Sequence, residues 1–453
     1  MKIHFIAIGG SAMHSLAIAI KQKGYCVSGS DDEIFDPSRS RLQNHGLLPN
    51  KIGWFPDKLD KGVDAVVLGM HARADNPELA RAKELAIKIY SYPEYLYEQT
   101  KSKTRVVIGG SHGKTTITSM VMHVLKDAGR KFDYMVGAHI DGFENMVGLS
   151  ESANIAIFEG DEYLTSPIDP RPKFHLYKPH IAIISGISWD HINVFPTFEQ
   201  YLMQFELFTH TIEPHGHLIY CASDKFTAEV GAKASESTNT VSYVAHAHKI
   251  SNSKMYLDTE NGEVELNVFG THNMENISAA KEACKLLGIS DKQFYKSIST
   301  FKGAARRLQL IKKGATTDVF LDFAHAPSKV RATVKALKET YPHRKLVACL
   351  ELHTFSSLNK NFLKEYAETL DDATQPLVYY NPRTLEHKKL PPINSEMVAD
   401  SFRNGNLRVF DNGLDLFQYL FDMEWSNTNL LLMSSGNFAN LNVNQLAETI
   451  AGG

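Results

Sequence analysis

A glycine-rich segment at residues 109–116 carries the clearest chemical signal in the chain. It reads Gly-Gly-Ser-His-Gly-Lys-Thr-Thr, follows the β-branched residues 106–108 and precedes a helical pattern over residues 117–125. A buried strand that leads through such a turn into a helix directs backbone N–H groups and the positive end of the helix at one anion. The segment therefore predicts a nucleoside triphosphate site, with Lys114 at the outer phosphates and Thr115 as a Mg²⁺ ligand.

The usual phosphate-loop pattern has a glycine six positions before the lysine, whereas this chain has Ile108 there. A glycine-rich turn beside a surface lysine is the alternative interpretation of the same residues. The strand and helix patterns on either side favour phosphate binding. We expect the nucleotide to contact the residues of the turn and of the first helical turn: Gly110, Ser111, His112, Gly113, Lys114, Thr115 and Thr116.

Acidic and histidine side chains follow two later strand patterns. Glu159 ends the apolar run that begins at residue 155, and His191 follows the next run. Taken singly, such residues are more typical of a solvated turn or a structural histidine. The carboxyl ends of parallel strands share one edge of a sheet, so these groups can converge with the phosphate loop. The sequence therefore predicts Mg²⁺ ligands at Thr115, Glu159 and His191.

Two polar groups later in the chain are candidates for contacts with a nucleotide. Asn273 and Asn276 are one helical turn apart, so their carboxamides share a face and could reach a base or ribose. Arg307 follows Arg306 and could neutralise a phosphoryl group. A helix cap and a solvated arginine pair are the alternatives that the residues leave open.

The elements that position these residues alternate strand and helix, which is typical of an α/β fold with parallel sheets. We predict three domains: a Rossmann-like domain at residues 1–103, a central P-loop ATPase-type domain with a mixed sheet at 104–311, and a C-terminal Rossmann-like domain at 312–453. Residues 216–269 are rich in short strand-like runs and turn residues, and they predict a small β insertion in the central domain.

Composition limits the functional class. The chain has 453 residues, of which 43% are hydrophobic and 22% charged, and its formal net charge is −3. That balance gives no general attraction for nucleic acid or an anionic membrane. Its four cysteines form no CxxC pair, and no apolar stretch is long enough to span a bilayer. We expect a cytoplasmic enzyme with small-molecule substrates that is a monomer or a weak homodimer.

Taken in order, six segments resemble the motifs of the Mur ligase family, the ATP-dependent enzymes that add amino acids to the peptidoglycan precursor. They are residues 110–116, 159–162, 190–191, 270–276, 306–307 and 322–327. The resemblance spans nearly the whole chain, and it accounts for Ile108 because the family's phosphate loop departs from the general pattern in the same way. It implies a UDP-sugar domain, an ATPase domain and a C-terminal domain that brings the amine.

The resemblance also implies roles for single residues. Catalysis would rest on Lys114, Glu159, His191 and Arg307, with ATP and Mg²⁺ as cofactors. The adenosine end of ATP would be held by Asn273 and Asn276, and the third domain would supply Asp322 and His325. The UDP-sugar would be bound by residues after the first three strands, namely Gly10, Ser11, Ala12, Asp31 and His71.

Within the family, the N-terminal segments look like the branch that acts on UDP-N-acetylmuramate itself. Residues 73–77, 161–163, 169–174 and 190–195 look most like the recycling enzyme, which attaches the tripeptide L-Ala-γ-D-Glu-meso-diaminopimelate. After residue 350, however, that enzyme typically reads Glu-Pro-Arg-Ser-Asn-Thr, whereas this chain reads Glu-Leu-His-Thr-Phe-Ser. The enzyme that adds L-alanine in biosynthesis is therefore the alternative.

A nucleotide-dependent switch or motor ATPase, which forms no covalent bond, is the alternative from a different functional class. It would leave the N-terminal domain and the segment around Asp322 unexplained. Some Mur ligases carry a carbamylated lysine shortly after the Asp-His motif. Phe205 stands near that position here, so we expect no such lysine.

Overall fold

Three sheets with mainly parallel strands organise the chain, which is seen in a computed structural model that describes residues 1–190, 192 and 194–452. Contacts between Cα atoms divide the chain into two units. The first comprises Met1–Ile187, Leu202–Val244 and Ala279–Phe294, and the second comprises Ser188–Tyr201, Ala245–Ser278 and Tyr295–Gly453. The predicted α/β class is confirmed. No helix within the described ranges is long and apolar enough to cross a membrane.

The first sheet is parallel throughout, with the strand order β2-β1-β3-β4. Its elements are β1 (Lys2–Ile6), α1 (Ser11–Gln22), β2 (Cys26–Ser30), α2 (Ser38–Asn44), β3 (Ala65–Leu68), α3 (Pro77–Glu84), β4 (Lys88–Ser91) and α4 (Tyr92–Thr100). Strands β1 and β3 are almost fully buried, as expected for the interior of a parallel sheet. Ile6 pairs with both Ser30 and Leu68, so the first three strands end at one edge.

The central sheet has seven strands in the order β13-β12-β11-β5-β8-β6-β7. All neighbouring strands run parallel except β6 and β7, so the predicted mixed sheet is observed. The elements of this region are β5 (Thr104–Gly109), α5 (Lys114–Asp127), β6 (Asp133–Met135), β7 (Val147–Gly148), β8 (Ile155–Glu159), β9 (Leu164–Ser166), β10 (Asp169–Pro172), β11 (Ile181–Ile184), α6 (Phe198–Thr209), β12 (His217–Cys221), α7 (Lys225–Ala232) and β13 (Asn239–Tyr243).

The predicted β insertion is wrong over its first half. Strands β12 and β13 extend the central parallel sheet beyond β11. A separate three-stranded antiparallel sheet comprises only β14 (His248–Ser251), β15 (Lys254–Thr259) and β16 (Gly262–Leu266). Short strands flanked by turn residues have the same sequence pattern at the edge of a parallel sheet and in a small antiparallel sheet. Only the strands with which they pair distinguish the two cases. Helices α8 (Thr271–Leu286) and α9 (Asp291–Ile298) follow.

The C-terminal sheet has six strands in the order β17-β18-β22-β19-β20-β21, and only β17 is antiparallel to its neighbour. Its elements are β17 (Gln309–Lys313), β18 (Asp318–Asp322), α10 (Pro327–Thr340), β19 (Lys345–Leu352), β20 (Gln375–Tyr380), α11 (Pro382–His387), α12 (Ser395–Phe402), β21 (Arg408–Phe410), α13 (Gly413–Asp422), β22 (Thr428–Met433) and α14 (Val443–Ala451). Buried apolar clusters cover both faces of this sheet. Strand β17 begins before the predicted domain boundary at residue 312.

Candidate active site

The phosphate-loop segment joins β5 to α5 and is shaped by two glycines with left-handed backbone conformations. Gly110 has φ of 132° and Gly113 has φ of 77°, values that favour glycine. A Cβ atom on Gly110 would also collide with the Ser185 side chain at the end of β11. The backbone N–H of Ser111 donates to the carbonyl of Gly186 at 2.9 Å. The neighbouring strand therefore holds the turn in place, and the first turn of α5 follows it directly.

His112 lies on this turn, and Thr116 lies in the first turn of α5. The Ser185 hydroxyl donates to the His112 carbonyl, and the His112 ring lies where a Cβ atom on Gly186 would stand. Thr116 is buried on α5. Every residue predicted to contact the nucleotide from residues 110–116 thus lies on the turn or in the first helical turn.

Lys114, the first residue of α5, is held by two acceptors at the mouth of the turn. Its ammonium donates to the Gly110 carbonyl and to Glu162 Oε2, both at 2.7 Å, and its side chain is only 13% exposed. Burial lowers the pKa of Lys114, but the charges of Glu162, Asp161 and Glu159 outweigh burial and raise it above the usual value. The lysine is therefore a fixed cation and not the surface lysine of the alternative interpretation.

Thr115 and Glu159 form the second polar pair of this site. The Thr115 hydroxyl donates to Glu159 Oε1 at 2.8 Å, and the Gly137 N–H donates to Oε2 at 2.7 Å. Burial, followed by the charge of Asp161, raises the pKa of Glu159. A nearby cation would reverse that shift, because it favours the ionised carboxylate. Hydroxyl and carboxylate oxygens are the hard ligands that Mg²⁺ takes beside phosphate oxygens and water, so this pair fits a magnesium ion.

His191, the third predicted metal ligand, lies outside the described residues. Among the residues that the structure does describe, no cluster of three or more His, Cys, Asp or Glu side chains is arranged to hold a metal. The preceding Asp190 is buried, with Oδ2 3.7 Å from Lys329 Nζ and 3.8 Å from His325 Nε2.

The residues predicted to bind the UDP-sugar meet at the edge where β1, β2 and β3 end. The backbone N–H of Gly9 donates to Asp31 Oδ2 at 2.7 Å, which fixes the turn that precedes α1. A Cβ atom on Gly10 would lie 3.6 Å from His71 Nδ1, so the histidine stands beside the turn. Ser11 and Ala12 open α1, whose N-terminus can face a diphosphate. Burial is the main reason that the pKa of Asp31 rises to about 6.

Arg307, Asp322 and His325 come together around Phe323 in the second unit. The Arg307 guanidinium lies 4.7 Å from the centre of the Phe323 ring, and the His325 ring meets the same ring edge-on. Asp322 accepts backbone hydrogen bonds from Leu308 and Ala324. Burial raises the pKa of Asp322, although the charge of Arg307 opposes that shift. The structure thus brings these three predicted residues into one cluster.

Asn273 and Asn276 share a face of α8, as predicted, but some of their side-chain donors and acceptors already form hydrogen bonds within the protein. Asn276 Nδ2 donates to Asn273 Oδ1 at 3.2 Å, and Asn273 Nδ2 donates to the Phe269 carbonyl at 2.8 Å. Both side chains are buried. The first contact agrees with the shared face. The second joins Asn273 to the segment before α8 and is not a helix cap, because a capping side chain accepts from backbone N–H groups at the start of the helix.

Sequence reasoning missed two contacts of this site. Glu162 is 1% exposed in its side chain and is the carboxylate partner of Lys114. Gly137 holds the second oxygen of Glu159. The sequence did place Glu162 near the end of β8. Side-chain direction can be predicted from alternation only within a strand, however, and Glu162 lies beyond the last residue of β8. Nothing in the sequence around Gly137 pointed to Glu159.

Three family models match consecutive parts of this chain: the Mur ligase family catalytic domain at residues 2–104, the Mur ligase middle domain at 108–284, and the Mur ligase glutamate ligase domain at 306–436. The UDP-N-acetylmuramate–L-alanine ligase of Clostridium acetobutylicum is 32% identical over 372 residues, which cover 78% of each chain. The chain belongs to the Mur ligase family. This Mur ligase is therefore an ATP-dependent enzyme that forms amide bonds in peptidoglycan metabolism.

Other relatives match the Mur ligase over its full length. The UDP-N-acetylmuramate–L-alanine ligase of Carboxydothermus hydrogenoformans is 29% identical, covering 100% of this chain and 96% of the relative. Two solved structures, both 23% identical, share the fold. A murein peptide ligase from Psychrobacter arcticus has a TM-score of 0.67 and covers 100% of this chain and 99% of its own. A UDP-N-acetylmuramate–alanine ligase from Thermotoga maritima has a TM-score of 0.71, with 99% and 98% covered.

Proposed function

We propose that this Mur ligase joins the lactyl carboxylate of UDP-N-acetylmuramate to the amino group of L-Ala-γ-D-Glu-meso-diaminopimelate at the cost of one ATP. The observation that carries the proposal is the pair of contacts at the phosphate loop, where Lys114 is fixed by Glu162 and Thr115 is fixed by Glu159. A buried ammonium beside a hydroxyl–carboxylate pair suits phosphoryl transfer between two anions.

The chemistry that needs these groups is activation of a carboxylate. A carboxylate is a poor electrophile, so its oxygen first attacks the γ-phosphorus of ATP, which releases ADP and leaves an acyl phosphate. The amine then attacks the carbonyl carbon, and the C–O bond to phosphate breaks as the amide forms. Lys114 neutralises charge on the transferring phosphoryl group. Magnesium, held by Thr115 and Glu159, would screen the repulsion between the two anions.

The remaining roles rest on the family resemblance and stay part of the proposal. Arg307 would neutralise phosphoryl charge, Asp322 and His325 would contact ATP, and His191 would complete the metal site. Gly10, Ser11, Ala12, Asp31 and His71 would hold the UDP-sugar, and the positive end of α1 supports that assignment. We also propose a cytoplasmic location, where ATP and nucleotide sugars are available.

Two molecules are candidates for the amine substrate: the tripeptide and L-alanine. The segments at residues 161–163 and 169–174, which resemble the recycling enzyme, support the tripeptide. The names of the relatives that are 32% and 29% identical favour L-alanine instead. The residues after position 350, which differ from the recycling pattern, leave the second candidate open.

Phosphate release distinguishes these candidates. Purified protein is incubated with ATP, Mg²⁺ and UDP-N-acetylmuramate, and either the tripeptide or L-alanine is added. We expect rapid release with the tripeptide and a product whose mass equals the sum of the two substrates less one water. Faster turnover with L-alanine would select the biosynthetic activity. ATP hydrolysis that needs neither acceptor would instead support the ATPase switch and refute the ligase proposal.

A further inference from the structure

The amine substrate must lose a proton before it can attack the acyl phosphate. An α-amino group is mainly protonated at neutral pH, and an ammonium nitrogen has no lone pair with which to form a bond. Both candidate acceptors present the same group, the amino nitrogen of an L-alanyl residue. The residues assigned to ATP, magnesium and the UDP-sugar leave this step without a base of its own.

Three neighbouring strands of the C-terminal sheet end together. Met433, the last residue of β22, pairs with Asp322 of β18 on one side and with Leu350 of β19 on the other. The backbone N–H of Ser434 donates to the Asp322 carbonyl at 2.9 Å. Ligands bind at the carboxyl ends of the strands in such sheets. The side chains at the end of β19 therefore lie at the same edge as Asp322 and its neighbour Arg307.

Glu351, the next-to-last residue of β19, is anchored through one of its two carboxylate oxygens. Its side chain is only 3% exposed, and Oε2 accepts hydrogen bonds from the Ser434 hydroxyl and from the Phe438 N–H. The other oxygen, Oε1, lies 4.0 Å from Nδ1 of His353. The carboxylate thus has a fixed orientation, with its second oxygen toward the imidazole.

His353 directly follows β19 and lies partly in solvent. Its side chain is 38% exposed, and its ring packs on Gly436, where a Cβ atom would lie 2.8 Å from Nδ1. A glycine at this position is what leaves room for the ring. Within the part of the chain that the structure describes, neither ring nitrogen forms a hydrogen bond. With Nδ1 toward Glu351, the Nε2 atom can accept a proton from a ligand.

The charges around His353 suit a base that works at neutral pH. Burial lowers the pKa of His353, the charge of Glu351 opposes that shift, and the charge of Lys388 adds to it. The imidazole is therefore neutral at pH 7 and able to take up a proton. Once it has done so, the carboxylate of Glu351 stabilises the imidazolium.

We propose that His353 is the general base that takes the proton from the L-alanyl ammonium group, and that Glu351 is a positioning residue that orients its ring. One proton passes from the amine nitrogen to Nε2, and the freed lone pair forms the C–N bond to the lactyl carbonyl carbon. The C–O bond to phosphate then breaks, and the phosphate leaves with the second amine proton. The inference rests on the proposed function and supplies the base for its second step.

Hydroxylamine provides a direct test, because its nitrogen is largely unprotonated at neutral pH and needs no base. Each protein is incubated with ATP, Mg²⁺ and UDP-N-acetylmuramate, and with either hydroxylamine or the L-alanyl acceptor that the wild-type protein uses. In His353→Ala and His353→Gln, kcat for amide formation should fall about 100-fold, whereas hydroxamate formation should stay within about threefold of wild type. Glu351→Gln should show a smaller loss that is likewise confined to the L-alanyl acceptor.

His343→Ala is the matched control. His343 is an exposed histidine that precedes β19, so it lies at the opposite end of the same strand. Both rates of this variant should equal those of the wild-type protein.

Three results would overturn the inference. An equal loss with both acceptors would mean that His353 supports the fold or the formation of the acyl phosphate, and thermal melting of the variants distinguishes these two roles. Unchanged amide formation in both His353 variants would remove the residue from catalysis. Activity retained by His353→Gln alone would show that the side chain acts by hydrogen bonding and not as a base. Failure of the proposed function has a different signature, namely a wild-type protein that forms no amide with either acceptor, and the assignment of His353 then fails with it.

Discussion

The buried ion pair between Lys114 and Glu162 links the affinity for ATP to a carboxylate that competes for the same ammonium. The two groups are 2.7 Å apart, and their side chains are 13% and 1% exposed. With an effective dielectric constant of 20, Coulomb's law gives roughly 6 kcal/mol of attraction at this distance. Desolvation of both groups cancels a large part of that figure, so we take about 2 kcal/mol as the net value of the pair.

Glu162→Gln keeps the shape of the side chain and removes its charge. When the γ-phosphate of ATP draws the ammonium away, the wild-type protein must give up the contact with Glu162, whereas the variant has already lost it. ATP should therefore bind about 30-fold more tightly to the variant, the equivalent of about 2 kcal/mol. The same substitution should lower the stability of the ATP-free protein, since a buried ammonium loses its nearest counter-charge.

Titration calorimetry with ATP and Mg²⁺ measures this difference directly. The matched control is Glu206→Gln, which removes an exposed pair with Lys233 whose distance is 2.6 Å. An exposed pair contributes little, so ATP affinity should not change there. Weaker binding by Glu162→Gln would show that the carboxylate orients Lys114 toward the phosphates, and equal binding would show that the pair persists in the complex. Either result refutes the competition described here.

Three further predictions follow from single residues. Lys114→Ala should abolish ATP-dependent phosphate release while UDP still binds, and normal turnover measured by phosphate release would disprove the phosphate-loop assignment. The pKa of Asp31 is raised from 3.8 to about 6 in the folded protein, so the free energy of unfolding should fall by up to about 3 kcal/mol as pH rises from about 4 to 6. Denaturant titrations should show this fall in the wild-type protein, and an equal fall in Asp31→Asn would contradict the assignment. Arg105 is 1% exposed and donates to the carbonyls of Thr100 and Tyr177. Its replacement by methionine should lower the free energy of unfolding by about 3–5 kcal/mol, because the buried partners of the guanidinium lose their donor. A change below 1 kcal/mol in urea unfolding would rule out that structural role.

The sequence predicted the strands well where a buried run ends at a turn or a cap. Residues 155–159 were predicted as a strand, and they form β8 with the same bounds. An asparagine followed by proline is a typical helix start, and α3 does begin at Pro77, where the Asn76 side chain accepts from two backbone N–H groups. These signals act through residues that are neighbours in the sequence, so they predict where an element begins or ends without knowledge of its tertiary contacts.

The sequence did not predict which strands and side chains that are far apart in the chain contact each other. Strands β12 and β13 have the short, turn-flanked pattern of an insertion, but they pair with the central sheet because β11 leaves an edge for them. Glu162 was visible as an acid near a strand end, whereas its contact with Lys114 depends on how a loop 48 residues away turns. Arg105 directly precedes the β-branched run at residues 106–108, and only the fold reveals the carbonyl groups to which its side chain donates.

Transfer of labelled oxygen tests the central claim, that the phosphate loop activates a carboxylate and does not serve simple ATP hydrolysis. UDP-N-acetylmuramate with ¹⁸O in its lactyl carboxylate is incubated with the wild-type protein, ATP, Mg²⁺ and the acceptor amine, and the released phosphate is analysed by mass spectrometry. Each phosphate should carry one labelled oxygen, because the C–O bond of the acyl phosphate breaks when the amide forms. Unlabelled phosphate released at the rate of product formation would contradict the acyl phosphate mechanism.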